Sequence, residues 1–266
     1  MDLWKAALLG IVQGLTEFFP VSSDGHLCLI GRWLHLSKSE SGADFVSFLH
    51  VGTLLACFVA FRREIGAMLP LALQPKRLFK PREDDLLGHE ARFVVLGSLA
   101  TAISALPFLG MFEAFYFSKV VLVAGFALTG SLLLLSRWAV KMPPKKEEPT
   151  QGLLVGGAQM LAILPGLSRS CITVVTGLLV GLPAARVASL SFLLSVPAVM
   201  GAVAMEFLRH PPPRAEWLAI AVGSSVAFLV GLFAVRSMLS LVPRGRMHWF
   251  APYVLLLALL TALTTS

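Results

Sequence analysis

Apolar residues in this chain come in successive stretches of about twenty, separated by short polar segments. Twenty residues is the length a helix needs to cross a hydrocarbon core of ~30 Å. Inside a bilayer every backbone N–H and C=O must be satisfied by the segment itself or by a closed barrel. No stretch alternates with period two over the ~10 residues of a barrel strand. The expected fold class is therefore an all-α polytopic membrane protein. Composition agrees, with 56% hydrophobic and only 14% charged residues, where soluble domains carry about 25% charged. A soluble protein is excluded, and with it a soluble nucleic-acid binder, despite the net charge of +7. The opening Met1-Asp2-Leu3-Trp4-Lys5 has one lysine beside an acid, which speaks against a cleaved signal. Cys28, Cys57 and Cys171 lie in apolar stretches without a CxxC pair and read as small buried hydrophobes.

Six stretches read as ordinary spans: 45–61, 91–110, 120–140, 187–207, 215–235 and 249–263. Polar loops are expected at 74–90 and 141–150, the second dividing the chain near its middle. Two further stretches, 3–36 and 152–181, are too long for one span and too short for two with a loop. Each breaks at its centre. The first breaks through Thr16-Glu17-Phe18-Phe19-Pro20-Val21-Ser22-Ser23-Asp24-Gly25-His26, the second through Pro165-Gly166-Leu167-Ser168-Arg169-Ser170. Charge at membrane depth is costly and marks function, and broken helix survives there only around a protein-lined site. Both stretches read as re-entrant hairpins of two half-helices.

The halves also resemble each other. Gln13, Pro20, Ser23 and Ser47-Phe48-Leu49 recur in order as Gln159, Pro165, Ser168 and Ser191-Phe192-Leu193, at offsets of 144 to 146. The chain reads as one integral membrane domain over 1–266, with repeat 1 over about 1–140 and repeat 2 over about 152–266. Each unit is one re-entrant helical hairpin plus three transmembrane helices. If each hairpin returns to its starting side, both chain ends share a face with segments 111–118 and 208–214. That face carries six basic residues: Lys5, Arg32, Lys38, Lys119, Arg209 and Arg214. The other face carries fifteen, among them Arg62, Arg63, Lys80, Arg82, Arg186 and Arg244, and Arg169 completes the 22. The positive-inside rule makes the fifteen-residue face cytoplasmic. Three spans per unit then turn the second unit over, giving an inverted repeat of the transporter-like kind.

The second hairpin carries an anion cradle. Ser168 follows Pro-Gly and caps the next half-helix, whose first N–H groups point at whatever lies beyond. Arg169 adds a forked cation suited to phosphate, and Ser170 and Thr173 add hydroxyls. In the first hairpin Glu17 follows Gln13 by four residues, so both share a helix face. After Pro20, Ser22 or Ser23 caps the next half-helix, with Asp24 and His26 close behind. A carboxylate, an imidazole and a hydroxyl are the types needed for acid–base and nucleophilic work. The plainer reading makes Glu17 a counter-ion for Arg169 and His26 a packing residue. His50 reads as a satisfied core histidine, Glu206 as an interfacial partner of Arg209, and Asp84-Asp85 as solvated surface.

Gln13 through His26 resemble the first motif of the bacterial undecaprenyl-diphosphate phosphatases, the bacitracin-resistance family: Glu-Gly-Leu-Thr-Glu-Phe-Leu-Pro-Val-Ser-Ser-Thr-Gly-His. Pro165 through Thr173 match that family's Pro-Gly-x-Ser-Arg-Ser-x-x-Thr, and Ser-Phe-Leu-Leu-Ser-Val-Pro at 191–197 is similar too. The likeness covers both repeats. It implies hydrolysis of the terminal phosphate of undecaprenyl diphosphate at the outer (periplasmic) face of the bacterial cytoplasmic membrane, recycling the lipid carrier for cell-wall synthesis. It implies Glu17, Ser23, His26 and Arg169 as catalytic candidates, with Gln13, Ser22, Ser168, Arg169, Ser170 and Thr173 around the diphosphate. A divalent cation, Mg²⁺ or Ca²⁺, is expected with it, for which Glu17 and Asp24 are the candidate ligands. Expected partners are the polyprenyl diphosphate, membrane lipids and bacitracin as a competitor for the substrate, with no nucleic acid and a homodimer left open. This chain departs from the motifs in Gln13 for glutamate, Asp24 for threonine and Cys171 for glycine.

Ser23, His26 or water can each serve as attacker, with Glu17 orienting it. A second lipid phosphatase class pairs a Ser-Gly-His motif with Ser-Arg, but it needs a histidine soon after, and here the next is His210. The stronger rival is a polyprenyl-phosphate flippase or anion transporter built on the same repeats. Such a carrier has little need for Glu17, Asp24 and His26 beside its anion.

Overall fold

A computed structural model describes the chain except residues 35, 37–42, 80–84, 109–114, 117, 147 and 265–266. Lys38, Lys80, Arg82 and Asp84 therefore lie outside the described residues, as does most of segment 111–118. Among the described residues there are helices and no strand. In chain order the α-helices are α1 (Leu3–Phe18), α2 (Ser23–Trp33), α3 (Ala43–Ala60), α4 (Arg62–Ala72), α5 (Pro75–Phe79) and α6 (Leu86–Ala105). The second half adds α7 (Lys119–Ala139), α8 (Pro149–Gln159), α9 (Arg169–Val180), α10 (Ala184–Arg209), α11 (Trp217–Leu241) and α12 (Ala251–Leu263).

Four segments are long and apolar enough to cross a membrane: Leu86–Phe108, Lys119–Ala139, Ala184–Arg209 and Arg214–Leu241. The other two expected spans appear as shorter apolar stretches, Ser47–Ala60 and Met247–Leu263. Large apolar side chains stand on the outside, including Ile103, Val120, Leu208, Leu229 and Phe233. Such a contiguous apolar surface suits lipid rather than water. The chain is a multi-pass, all-helical membrane protein.

Both interrupted stretches fold as helix–break–helix. α1 stops at Phe18 because the residue before a proline is pushed to extended backbone, and Phe19 has φ −65° and ψ 142°. Ser22 then caps α2, its hydroxyl accepting from the Gly25 N–H at 3.4 Å. In the second stretch α8 runs into a 3-10 turn, Met160–Ile163, before the Pro165-Gly166 break. Ser168 caps α9, accepting from the Cys171 N–H at 3.2 Å. The outer ends of this pair lie together. The Lys145 N–H donates to the Gly181 carbonyl at 2.9 Å, and Gln151 Nε2 donates to the Val180 carbonyl at 3.3 Å. At 1.5 Å per residue α9 reaches only about 18 Å, so the hairpin turns back within the core.

Each hairpin's first arm packs on a helix from the other half, α1 on α11 and α8 on α6. These seams need glycine. A Cβ at Gly10 would stand 2.3 Å from the Gly223 carbonyl oxygen, and one at Gly156 would stand 2.1 Å from that of Gly97. Small residues let membrane helices approach to van der Waals contact, the main attraction available in lipid.

Lys119 Nζ donates to the Thr264 carbonyl, which brings the 119 segment close to Thr264. Arg186 pairs with Glu90, tying the start of α10 to α6. Several features differ from the sequence reading, among them α5 and the first turn of α6, which lie within the expected loop 74–90. Helix α4 has no counterpart in that reading, yet packs on α6 with Met68 and Leu71 buried. Asp85 is not idle surface, because its carboxylate accepts from the Gly88 N–H at 2.9 Å and caps α6. Glu206 meets His210 at 3.1 Å, one turn along α10. Cys28, Cys57 and Cys171 are buried free thiols, as expected.

Candidate active site

The two hairpin tips meet on one carboxylate. Glu17 ends α1, buried, and its Oε2 accepts from Ser23 Oγ at 2.7 Å and from Gln13 Nε2 at 3.1 Å. Its Oε1 takes the Arg169 guanidinium from the other hairpin. His50 Nε2, from α3, stands 3.5 Å from Oε2. Side chains from α1, α2, α3 and α9 thus converge on a single group. Gln13 lies one turn before Glu17, as the spacing predicts, with Thr53 Oγ1 at 3.5 Å from its amide nitrogen. Its buried Oε1 has no hydrogen-bond partner among the described residues. Removing one member of such a buried ion pair costs about 3–5 kcal/mol, because the survivor is left charged and unpaired.

Ser22 and Asp24 flank Ser23. Ser22 has φ 72°, the one left-handed non-glycine residue among those described. Such a conformation costs about 1–3 kcal/mol and persists only where surroundings enforce it. Asp24 lies in the first turn of α2, where helix N–H groups favour a negative charge. Its Oδ1 is 3.9 Å from His50 Nε2. His50, read from sequence as a satisfied core histidine, lies within 3.9 Å of both carboxylates. The charge that Asp24 adds in place of the motif's threonine faces an imidazole.

His26 is not joined to Glu17 or Ser23. Its Nδ1 lies 2.7 Å from the Ser22 carbonyl and its Nε2 lies 2.7 Å from the Tyr253 hydroxyl of α12. The ring stacks on Tyr253 and meets Phe126 edge-on.

On the second tip Ser168 and Ser170 lie 3.1 Å apart through their hydroxyls. Thr129 on α7 holds this tip from below, its hydroxyl donating to the Gly166 carbonyl at 2.8 Å and accepting the Ser168 N–H at 2.9 Å. Glycine is required twice here, since Gly166 has φ 88° and a Cβ on Gly125 would stand 2.3 Å from the Pro165 carbonyl oxygen. Thr173 turns away from the tip. Its hydroxyl donates back to the Arg169 carbonyl at 2.8 Å and meets Ser191 Oγ at 2.5 Å, so it braces the Arg169 turn against α10. A small cleft beside the ion pair is lined by Glu17, Phe18, Arg169, Ser170, Ser191, Phe192 and Ser195.

The structure therefore brings together Gln13, Glu17, Ser23 and Arg169, with Ser168 and Ser170 adjacent. It sets His26 and Thr173 behind them as supports. Thr129, Ser195 and Tyr253 are site residues that the sequence reading did not single out. Ser195 appears there only inside the 191–197 likeness. The donor set does not make a ready cation cage. Among the described residues no three His, Cys, Asp or Glu side chains are grouped to hold a metal ion, and both Glu17 oxygens are taken.

Fold and site define a class: a polytopic helical membrane protein with a buried acid–serine–arginine centre where two broken hairpins meet. Residues 6–260 match the family model of bacitracin resistance protein BacA, and the chain belongs to that family. It is 35% identical over 262 residues to a protein of Korarchaeum cryptofilum named undecaprenyl-diphosphatase, covering 97% of this chain and 98% of the other. A protein of the same name from Desulfosudis oleivorans is 37% identical over 275 residues, covering 97% and 96%. One from Geobacter sulfurreducens is 36% identical over 266 residues, covering 96% of each chain.

Proposed function

We propose that this chain is an undecaprenyl-diphosphatase, releasing inorganic phosphate from undecaprenyl diphosphate and leaving undecaprenyl phosphate. Family membership and the names of its relatives support the activity. One observation carries the mechanism: Ser23 Oγ donates to Glu17 Oε2 at 2.7 Å. A hydroxyl whose proton points at a buried carboxylate keeps its lone pairs available for attack on phosphorus. Ser23 Oγ attacks the terminal phosphorus as Glu17 takes its proton. The bond from phosphorus to the bridging oxygen breaks, and undecaprenyl phosphate departs with that oxygen. Water then attacks the phosphoserine, the phosphorus–Oγ bond breaks as Glu17 returns its proton to Ser23 Oγ, and inorganic phosphate leaves with the water's oxygen and protons.

Arg169 links the two halves of this chemistry. In the resting site its charge is spent on Glu17. Once Glu17 holds the Ser23 proton the carboxyl is neutral, and the guanidinium is free to stabilise charge on the transferring phosphoryl group. Ser168, Ser170 and the first N–H groups of α9 bind the phosphate oxygens. A flippase would bind the same anion without needing a serine aimed at a carboxylate, so the Ser23–Glu17 bond favours hydrolysis over transport.

The same reading makes the two halves an inverted repeat in a bacterial cytoplasmic membrane, with the site open to the outer face. The reciprocal packing of α1 on α11 and α8 on α6 supports it, as does the excess of basic residues on one face. Bacitracin then competes by taking the same lipid diphosphate.

The test is a rapid quench with substrate labelled in the terminal phosphate. A labelled phosphoserine at position 23 is the expected product, absent in Ser23→Ala. Full activity with no trapped phosphoenzyme would instead mean direct attack by water.

A further inference from the structure

Resting on that reading of Ser23, we infer that Tyr253 is a positioning residue for the nucleophile, acting through His26 and the strained Ser22 backbone. The argument begins with the tautomer. A carbonyl oxygen only accepts, so the 2.7 Å contact to the Ser22 carbonyl places a hydrogen on His26 Nδ1. The bare Nε2 then accepts from the Tyr253 hydroxyl, also at 2.7 Å. With both nitrogens engaged, the ring has neither a donor nor a lone pair left for Ser23. Its rotation is blocked as well, by the near-parallel Tyr253 ring at 5.7 Å and the perpendicular Phe126 ring at 5.7 Å.

What His26 holds is the peptide of Ser22. That residue sits at φ 72°, where a side chain is strained, and it directly precedes Ser23. Its hydroxyl contributes only a 3.4 Å contact to the Gly25 N–H. The bond from His26 Nδ1 is the shortest of three anchors to α2, the third being the His26 N–H on the same carbonyl at 3.3 Å. A relay runs from the last helix to the reacting oxygen: Tyr253 hydroxyl to His26, His26 to the Ser22 carbonyl, Ser22 to Ser23, and Ser23 Oγ to Glu17. Tyr253 is 227 residues from His26 in sequence and half-exposed, with nothing in the chemistry of the cleft to occupy it otherwise. In this arrangement His26 acts as a buttress for the attacking serine.

The test is Tyr253→Phe, assayed as phosphate release from undecaprenyl diphosphate by full-length protein in detergent. Phenylalanine keeps the ring and the stack, so the fold is retained while one hydrogen bond is lost. We expect kcat to fall about tenfold, the worth of one such bond, with KM within twofold. In a His26→Gln background the same substitution should cause no further loss. Ser22→Gly supplies the rescue. Glycine takes φ 72° without strain, so Ser22→Gly with Tyr253→Phe should recover most of the kcat lost by Tyr253→Phe alone. Unchanged kcat in Tyr253→Phe, a loss confined to KM, or no recovery in the glycine background would each overturn the inference. Full turnover in Ser23→Ala would instead sink the reading of Ser23 and leave Tyr253 nothing to position.

Discussion

The two hairpin tips face the same geometric task and meet it with different residues. Both must stop a helix at a proline, reverse, and restart within a few residues inside the membrane. The second tip gives its left-handed position to Gly166 (φ 88°) and is held by Thr129 beneath it. The first gives that position to Ser22 (φ 72°), at a cost in strain. Their chemistry divides the same way. The relaxed tip presents Arg169, Ser168 and Ser170, the groups proposed to bind the diphosphate, which need only be present. The strained tip presents Glu17 and Ser23, which must be aimed. In the proposed mechanism, strain falls at the tip whose atoms react, and the glycine at the tip whose groups bind.

The largest effect should come from breaking the ion pair that joins the tips. Glu17→Ala removes the acceptor of Ser23 and the counter-ion of Arg169 together. Phosphate release should fall at least about a thousandfold, the scale of losing both a general base and its electrostatic partner. Near-normal turnover would show that Glu17 is only a counter-ion. Arg169→Ala should be nearly as severe and should also lower thermal stability by about 3–5 kcal/mol, leaving Glu17 buried alone. Arg169→Lys sharpens the comparison. It keeps the charge without the fork, so stability should largely return while activity stays at least about tenfold down.

How much of this could be read from sequence differs between the tips as well. The breaks at Pro20 and Pro165 and the cap at Ser168 are local, set by residues adjacent in the chain. The Gln13–Glu17 pairing follows from helical spacing. Thr129 and Tyr253 touch the tips across 39 and 227 residues, and nothing in their own surroundings marks them. His50 sits on an apolar helix face where a packing role is the natural reading, and only the fold brings it 3.5 Å from Glu17. Helix α4 escapes because Arg62-Arg63-Glu64 and Pro70 look like loop, although Met68 and Leu71 are buried. Short-range rules found the breaks and the cap, while the supports that aim the groups are long-range.

A smaller effect should separate holding from reacting. Thr129→Val removes the clamp on the second tip while keeping its volume, and leaves the Gly166 carbonyl and the Ser168 N–H without this partner. The loss should be about 1–3 kcal/mol of stability, with KM raised several-fold and the amount of trapped phosphoenzyme at saturation unchanged. A fall in phosphoenzyme at saturating substrate would mean that the second tip also takes part in the chemical step.

The smallest effect concerns the charge that sets this chain apart from the motif it resembles. Asp24 places a carboxylate beside an anion site, yet His50 stands 3.9 Å from it and 3.5 Å from Glu17. If His50 offsets Asp24, neither substitution alone reports the full Coulomb energy. A lone charge several ångströms from the phosphates, at an effective dielectric between protein and water, changes binding by about 1 kcal/mol. Asp24→Thr should therefore lower KM about two- to fivefold at low salt, with kcat unchanged, and the gain should shrink as ionic strength rises. His50→Gln should raise KM, because it leaves Asp24 and Glu17 facing the substrate without the imidazole between them. In the Asp24→Thr background His50→Gln should raise KM less than it does alone, the non-additivity of a pair that acts together. Strictly additive effects would mean that Asp24 and His50 act on the substrate separately. The first tip's extra acid would then be uncompensated, and the contrast between an aiming tip and a binding tip would have to include repulsion as well as strain.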